Sequence, residues 1–197
     1  MTRLAPLSAD HSPELKERFA FFERTLGFVP NSLLTMQRKP KLVEALVQMS
    51  GAVYDPEGEV DLGFKRLVAH VASTAAGCQY CKAHTAVSAS RHGIPAEKLE
   101  DVWNYRNSEH FDEAERAALD FALAAASQPN DVTDESFAEL RQHWSEDQVV
   151  ELMGVICLFG FFNRWNDSLA TPLEAEPMAI GEQHLTRGGW SAGKHSD

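Results

Sequence analysis

Apolar positions along this chain recur every three or four residues and almost never alternate, so the pattern predicts helices and gives almost no strand signal. Ser12 and Pro13 open a segment in which Leu15, Phe19, Phe22 and Leu26 share one face, proline being favoured at the first helical position. "VPNSLLTMQRKP" reads as a short helical turn, and "PKLVEALVQMSGAVY" as a helix with Leu42, Leu46 and Met49 on one side. After the turn "DPEGE", a longer helix is expected from about Asp61 to Ala76. Gly77 interrupts it, a new helix is expected from about Cys78 to Arg91, and "HGIP" stops that one. Pro95 opens "PAEKLEDVWNY". Asp112 with Glu115 and Ser145 with Gln148 have capping-box spacing, and each precedes a helical run, "EAERAALDFALAAAS" and "EDQVVELMGVICLFGFFNRWNDSL". "DESFAELRQHW" lies between them.

The expected architecture is therefore all-α: one multi-helix domain over residues 1–170, with a cysteine-bearing part at about 60–105 and a second helical unit at about 111–170. A weak internal repeat supports two related units, since "KRLVAHVASTAAG" resembles "ERAALDFALAAAS" at an offset of 50. From Thr171 onward, Pro, Gly and polar residues predict an extended or mobile tail over 171–197.

Composition narrows the function. A net charge of −11 disfavours nucleic acid and anionic membrane surfaces as main partners. No apolar run reaches the ~18–20 residues of a membrane span, and the first residues lack the apolar core of a signal peptide, so a cytoplasmic location is expected. In that compartment a close cysteine pair points to catalysis or metal binding rather than to a structural disulfide.

Two of the three cysteines lie in "GCQYCKAHTA", with His84 three positions after the second. On a helix, Cys78 falls in the first turn and Cys81 almost one turn on, on the same face. The helix N-terminus favours a thiolate, and His84 could exchange a proton with it. Three readings compete. Two small core cysteines would leave Gly77, Tyr80 and His84 without a purpose. Zinc would need four ligands, and His70, His84 and His92 match no zinc spacing. Thioredoxin-type chemistry in the strict sense needs a βαβ setting that this chain lacks. A redox dithiol on a helical scaffold remains.

The stretch "KRLVAHVASTAAGCQYCKAHTAVSASRHGI" resembles the core motif of the alkylhydroperoxidase D-like proteins, in the carboxymuconolactone decarboxylase superfamily. The likeness extends through "LFGFFNRWNDSLATPLE" to a peroxidase-related branch. It implies an all-α fold, a homo-oligomer (dimer, trimer or hexamer), and reduction of organic hydroperoxides by the cysteine pair. It also implies electrons from an external dithiol or thioredoxin-like donor, and no bound cofactor or metal. The chain departs from the family pattern where the relay glutamate is replaced by Arg66, and where the histidine stands one residue early, at His84 rather than at position 85. His70 becomes the candidate to substitute in the relay, and Arg66 to stabilise a thiolate by its fixed charge. Helix-dipole logic favours Cys78 as the attacking sulfur. The resemblance favours Cys81, which is taken as the peroxidatic residue.

Tyr80, Asn163 and Trp165 are candidate pocket residues, although "FFNRWND" equally suits a packed helix end with Asn163 and Asp167 bonding backbone. Cys157, in an apolar run, is expected in the core. Two other functions stay open: a disulfide-relay adaptor or redox sensor, and a non-redox lyase of the decarboxylase type, against which the cysteine pair counts.

Overall fold

Residues 2–196 are described by a computed structural model. Ten α-helices follow one another among them: α1 (Lys16–Leu26), α2 (Asn31–Met36), α3 (Pro40–Val53), α4 (Leu62–Ala75), α5 (Gln79–Arg91), α6 (Ala96–Glu100), α7 (Glu113–Ala126), α8 (Asp134–His143), α9 (Glu146–Leu169) and α10 (Ala175–Ile180). No strand occurs among the described residues, so the all-α expectation holds.

The centre is α4. Leu67, Val68, Ala69 and Ala72 are all sealed, because α5, α7 and α9 surround the helix on different sides. Ala83, Ala86 and Ala89 of α5 and Ala118 and Ala122 of α7 join the same core. Small side chains at these positions let helix axes approach closely. A second, smaller core lies between α1–α3 and Leu158 of α9, built on Leu15, Phe19, Leu33, Met36 and Val43. Both predicted capping boxes form, at Asp112 with Glu115 and at Ser145 with Gln148.

Two expectations need correction. Cys157 is exposed, not buried. It lies on a stripe of α9 with Val150 and Gly154, at steps of four and three, that faces away from the core within one chain. The segment after Thr171 is not extended. It forms α10, continues as a π-helical turn over Gly181–Leu185, and ends in a 3-10 turn at Gly193–His195. Trp190 is the reason it packs: the indole is buried and donates from Nε1 to Gln79 O at 3.0 Å. A Cβ at Gly181 would lie 2.5 Å from the same ring, so the glycine makes room for it. This C-terminal strap lies against the start of α5, where the cysteines are.

Candidate active site

The chain leaves α4 through Gly77, whose φ of +72° suits glycine, and the Gly77 and Cys78 amides donate back to Thr74 O and Ser73 O at 3.1 Å. Cys78 is then extended and acts as the N-cap of α5, not as a residue of its first turn. Its Sγ accepts the Cys81 N–H at 3.4 Å, the position a Ser or Asp oxygen usually takes. A partly positive backbone amide therefore points at this sulfur. Cys81 Sγ receives a different donor, Asn166 Nδ2 of α9, at 3.5 Å. Both thiols are free, with exposures of 0% and 2%, and Phe159, Phe162 and Leu173 pack against them. Burial pushes the Cys81 thiol well up, and the neighbouring Cys78 adds to this while Asn166 opposes it. Cys81 is thus a protonated thiol at neutral pH.

His84 does not hydrogen-bond either sulfur among the described residues. Its ring stacks on Tyr80 at 4.2 Å between centroids, and its Nε2 donates to Glu174 Oε2 at 2.6 Å. Glu174, in the strap just before α10, also accepts from the Tyr80 hydroxyl at 2.9 Å and from the Asn31 N–H of α2. Burial alone would raise the Glu174 carboxyl; His84 and the Asn31 amide outweigh it and hold the group below its ordinary range. An anionic Glu174 thus ties α2, α5 and the strap together.

On the other side of the pair stands His195. It is fully buried, and its Nδ1 donates to Thr171 O at 2.7 Å. Its Nε2 has no hydrogen-bond partner and lies 3.8 Å from Asp167 Oδ1. Asp167 Oδ2 is paired with Lys194 Nζ at 2.7 Å. Donor atoms of Cys78, Asp167 and His195 all lie within 4.8 Å of one another. Three donors fall short of the four of a closed zinc site. Burial lowers the His195 imidazole below its usual value, so the ring is neutral at pH 7.

The remaining candidates divide. His70 is buried one helix away, its Nδ1 3.1 Å from Lys82 O and 3.0 Å from Thr85 Oγ1, and burial pulls its pKa down to about 3. Thr85 also bonds Cys81 O at 2.9 Å, so His70 meets the backbone of the cysteine helix and not its sulfurs. The Arg66 guanidinium lies 3.2 Å from the Tyr54 ring centroid and is engaged there. Trp165 stacks on Phe161, in the smaller core. Asn163 is buried with neither its Oδ1 nor its Nδ2 bonded, one turn before Asn166 and Asp167 on the same face of α9. Asn166 Oδ1 and Thr171 Oγ1 are likewise unpaired.

Sequence reasoning missed Glu174, His195, Asn166 and the pairing of Asp167. One signal was available: "NRWND" sets polar residues at i, i+3 and i+4 inside an apolar helix, and such residues need buried partners. A tryptophan in a supposedly loose tail was the other.

A family model for carboxymuconolactone decarboxylases matches residues 40–124, which hold α4, α5 and the cysteine pair. The debrominase Bmp8 is 34% identical over 93% of this chain and 97% of that one, with a TM-score of 0.85, in the structure of its cysteine-to-alanine variant with 2,3,4-tribromopyrrole. An uncharacterized peroxidase-related protein from Ralstonia eutropha JMP134, with an alkylhydroperoxidase AhpD core, has a TM-score of 0.78 at 19% identity, covering 90% of this chain and 96% of that one. The protein YnjA of Escherichia coli K12 is 29% identical over 97 residues; the match takes in 49% of this chain and about half, 53%, of YnjA. With its cysteine helix inside the matched region and its whole fold shared with a 34%-identical relative, the chain belongs to the carboxymuconolactone decarboxylase family.

Proposed function

We propose that the protein is a dithiol reductase in which Cys78 and Cys81 give up two electrons as they join in a disulfide and deliver them to an electrophilic organic substrate, an organic hydroperoxide in the first instance. The observation that carries this reading is the sulfur pair at the start of α5, with Cys78 under a helix-end amide and Cys81 held as a thiol. That contrast moves the attacking role from Cys81 to Cys78. The Cys78 sulfur bonds the outer peroxide oxygen, the O–O bond breaks, and the alkoxide leaves as an alcohol after taking one proton. Cys81 then attacks the sulfenic sulfur, water leaves, and a Cys78–Cys81 disulfide remains. An external dithiol or thioredoxin-like donor, with no bound cofactor, restores both thiols. The apolar neighbours Phe159, Phe162 and Leu173 favour an apolar organic group over hydrogen peroxide. Both sulfurs are closed off in this conformation, so substrate entry requires that cover to shift.

A second reading has its own support. The likeness to the debrominase favours a halogenated aromatic as substrate. The electron count is unchanged: the carbon–halogen bond breaks, carbon gains a proton, halide leaves, and the same disulfide forms. One experiment separates the two. The reduced protein is given one equivalent of cumene hydroperoxide or of 2,3,4-tribromopyrrole, and thiols are counted over time. Loss of two thiols per chain with the hydroperoxide supports the first reading, and loss only with the bromopyrrole supports the second. No loss with either overturns the reductase reading and leaves a disulfide-relay adaptor or a lyase.

The protein also acts as a homo-oligomer in this reading. The α9 stripe of Val150, Gly154 and Cys157 is apolar, with Val150 and Cys157 exposed within one chain, which suits a second copy. Light scattering of Cys157→Glu tests it: a mass unchanged from wild type rejects this face as the interface.

A further inference from the structure

We infer that His195, carried in by the C-terminal strap, is the proton acceptor for Cys78, with Asp167 as the counter-ion of the imidazolium that forms. This rests on the dithiol reading above and adds the group that sets which sulfur attacks. The geometry has four parts. The Nδ1–H of His195 is committed to Thr171 O at 2.7 Å, which fixes the tautomer and leaves Nε2 with a free lone pair. That nitrogen is fully buried and has no hydrogen-bond partner. A His195 ring nitrogen, the Cys78 sulfur and an Asp167 oxygen fall within 4.8 Å of one another. Asp167 Oδ1 stands 3.8 Å from Nε2, ready to pair with a cation there.

In the step proposed, the S–H bond of Cys78 breaks and an N–H bond forms at His195 Nε2. The sulfur is left anionic under the Cys81 amide, and the imidazolium faces Asp167. The same proton then goes to the alkoxide released when the O–O bond breaks, and His195 returns to neutral. The other groups facing this spot are Lys194, which holds Asp167 Oδ2 at 2.7 Å, and Tyr80, whose ring lies 5.9 Å from that of His195. Neither can take the proton: the ammonium is already charged, and the Tyr80 hydroxyl donates to Glu174. His84, the histidine singled out by the sequence, is bound to Glu174 and stacked on Tyr80. A neutral base held in place by its other ring nitrogen is the arrangement that activates a nucleophile.

The test is the rate at which Cys78 reacts with iodoacetamide at pH 7, followed by mass spectrometry of chymotryptic peptides, since cleavage after Tyr80 separates the two cysteines. His195→Gln keeps an amide that can bond Thr171. It is expected to slow Cys78 labelling about tenfold or more. Arg187→Ala removes the strap's pairing with Glu100 while leaving His195, Asp167 and Lys194 unaltered, and labelling should hold or quicken. The opposite sign decides the matter: labelling as fast or faster in His195→Gln makes His195 a mere cover and overturns the inference. If His195→Gln does not fold, Asp167→Asn is read instead, where a few-fold slowing is expected and an unchanged rate overturns it. Failure of the underlying reading looks different, as no disulfide in the unaltered protein with either substrate.

Discussion

The starts of α5 and α8 are built alike and put to different use. Each follows a 14-residue alanine-rich helix, α4 or α7, and each is capped by a side chain that accepts an amide three residues on. At α8 the cap is Thr133, whose Oγ1 accepts Ser136 N–H at 3.2 Å in the open. At α5 the cap is the Cys78 sulfur, with no exposed surface, crowded by Asp167, His195 and the strap. The backbone device is the same, and so is its modest worth to the helix. The difference is the covering. Water screens the amide field at Thr133, whereas at Cys78 the field acts in a low-dielectric pocket, where it is stronger. A helix start becomes a reactive centre only when tertiary structure closes over it.

Four expectations break or sharpen that contrast, from the largest effect down. Replacing Cys78 or Cys81 by Ser should cut substrate-driven thiol loss to under about one hundredth of the wild-type rate, because each sulfur is half of one unit. Stopped-flow thiol counting checks it, and Thr133→Ser serves as the contrasting cap. Next, Glu174→Ala should cost on the order of 3 kcal/mol in urea unfolding, since three donors lose one charged acceptor. The same residue gives a sign in pH. Its folded-state carboxyl titrates below the ordinary 4.5, so its stabilisation is full above that value and is lost as pH falls through the lower, folded one. Wild type should therefore lose its advantage over Glu174→Gln in acid, measured as melting temperature against pH.

His70 supplies a smaller slope. Its pKa falls from 6.5 to about 3 on folding, so the neutral form stabilises the fold above 6.5 and this contribution drains away as pH drops toward 3. At its steepest the loss is about 1.4 kcal/mol per pH unit, and His70→Gln should flatten it in denaturant titrations at pH 7, 6 and 5. The least effect belongs to Thr133→Ala, about 1 kcal/mol in stability with thiol chemistry unchanged. A loss of activity there would mean that α8 matters to the site in a way the contrast denies.

Much of this was legible along the chain. The helices were, because each buries one face or all of its surface and the three-to-four spacing reports it directly. So were the caps, which are local: Asp112, Ser145 and the glycine break before Cys78 all act within four residues. The cysteine pair was legible as a motif. Its partners were not. Arg66 and His70 share a face of α4 and were natural relay candidates, but packing turned Arg66 to Tyr54 and His70 to Thr85. His84 looked like the base because it was near in sequence, yet Glu174, 90 residues on, claims its Nε2.

The sequence by itself determined an all-helical chain with two thiols at the head of one helix, since periodicity and capping depend on neighbours within a turn or two. Tertiary structure alone decided what surrounds those thiols. Asn166, Asp167 and His195 reach them, and Glu174 claims the neighbouring His84, across separations no local rule spans, and Cys157, apolar in its sequence surroundings, was left outside because only the packing of α9 fixes which side of it faces in. Burial is a property of the whole fold, and the raised Cys81 thiol follows from burial.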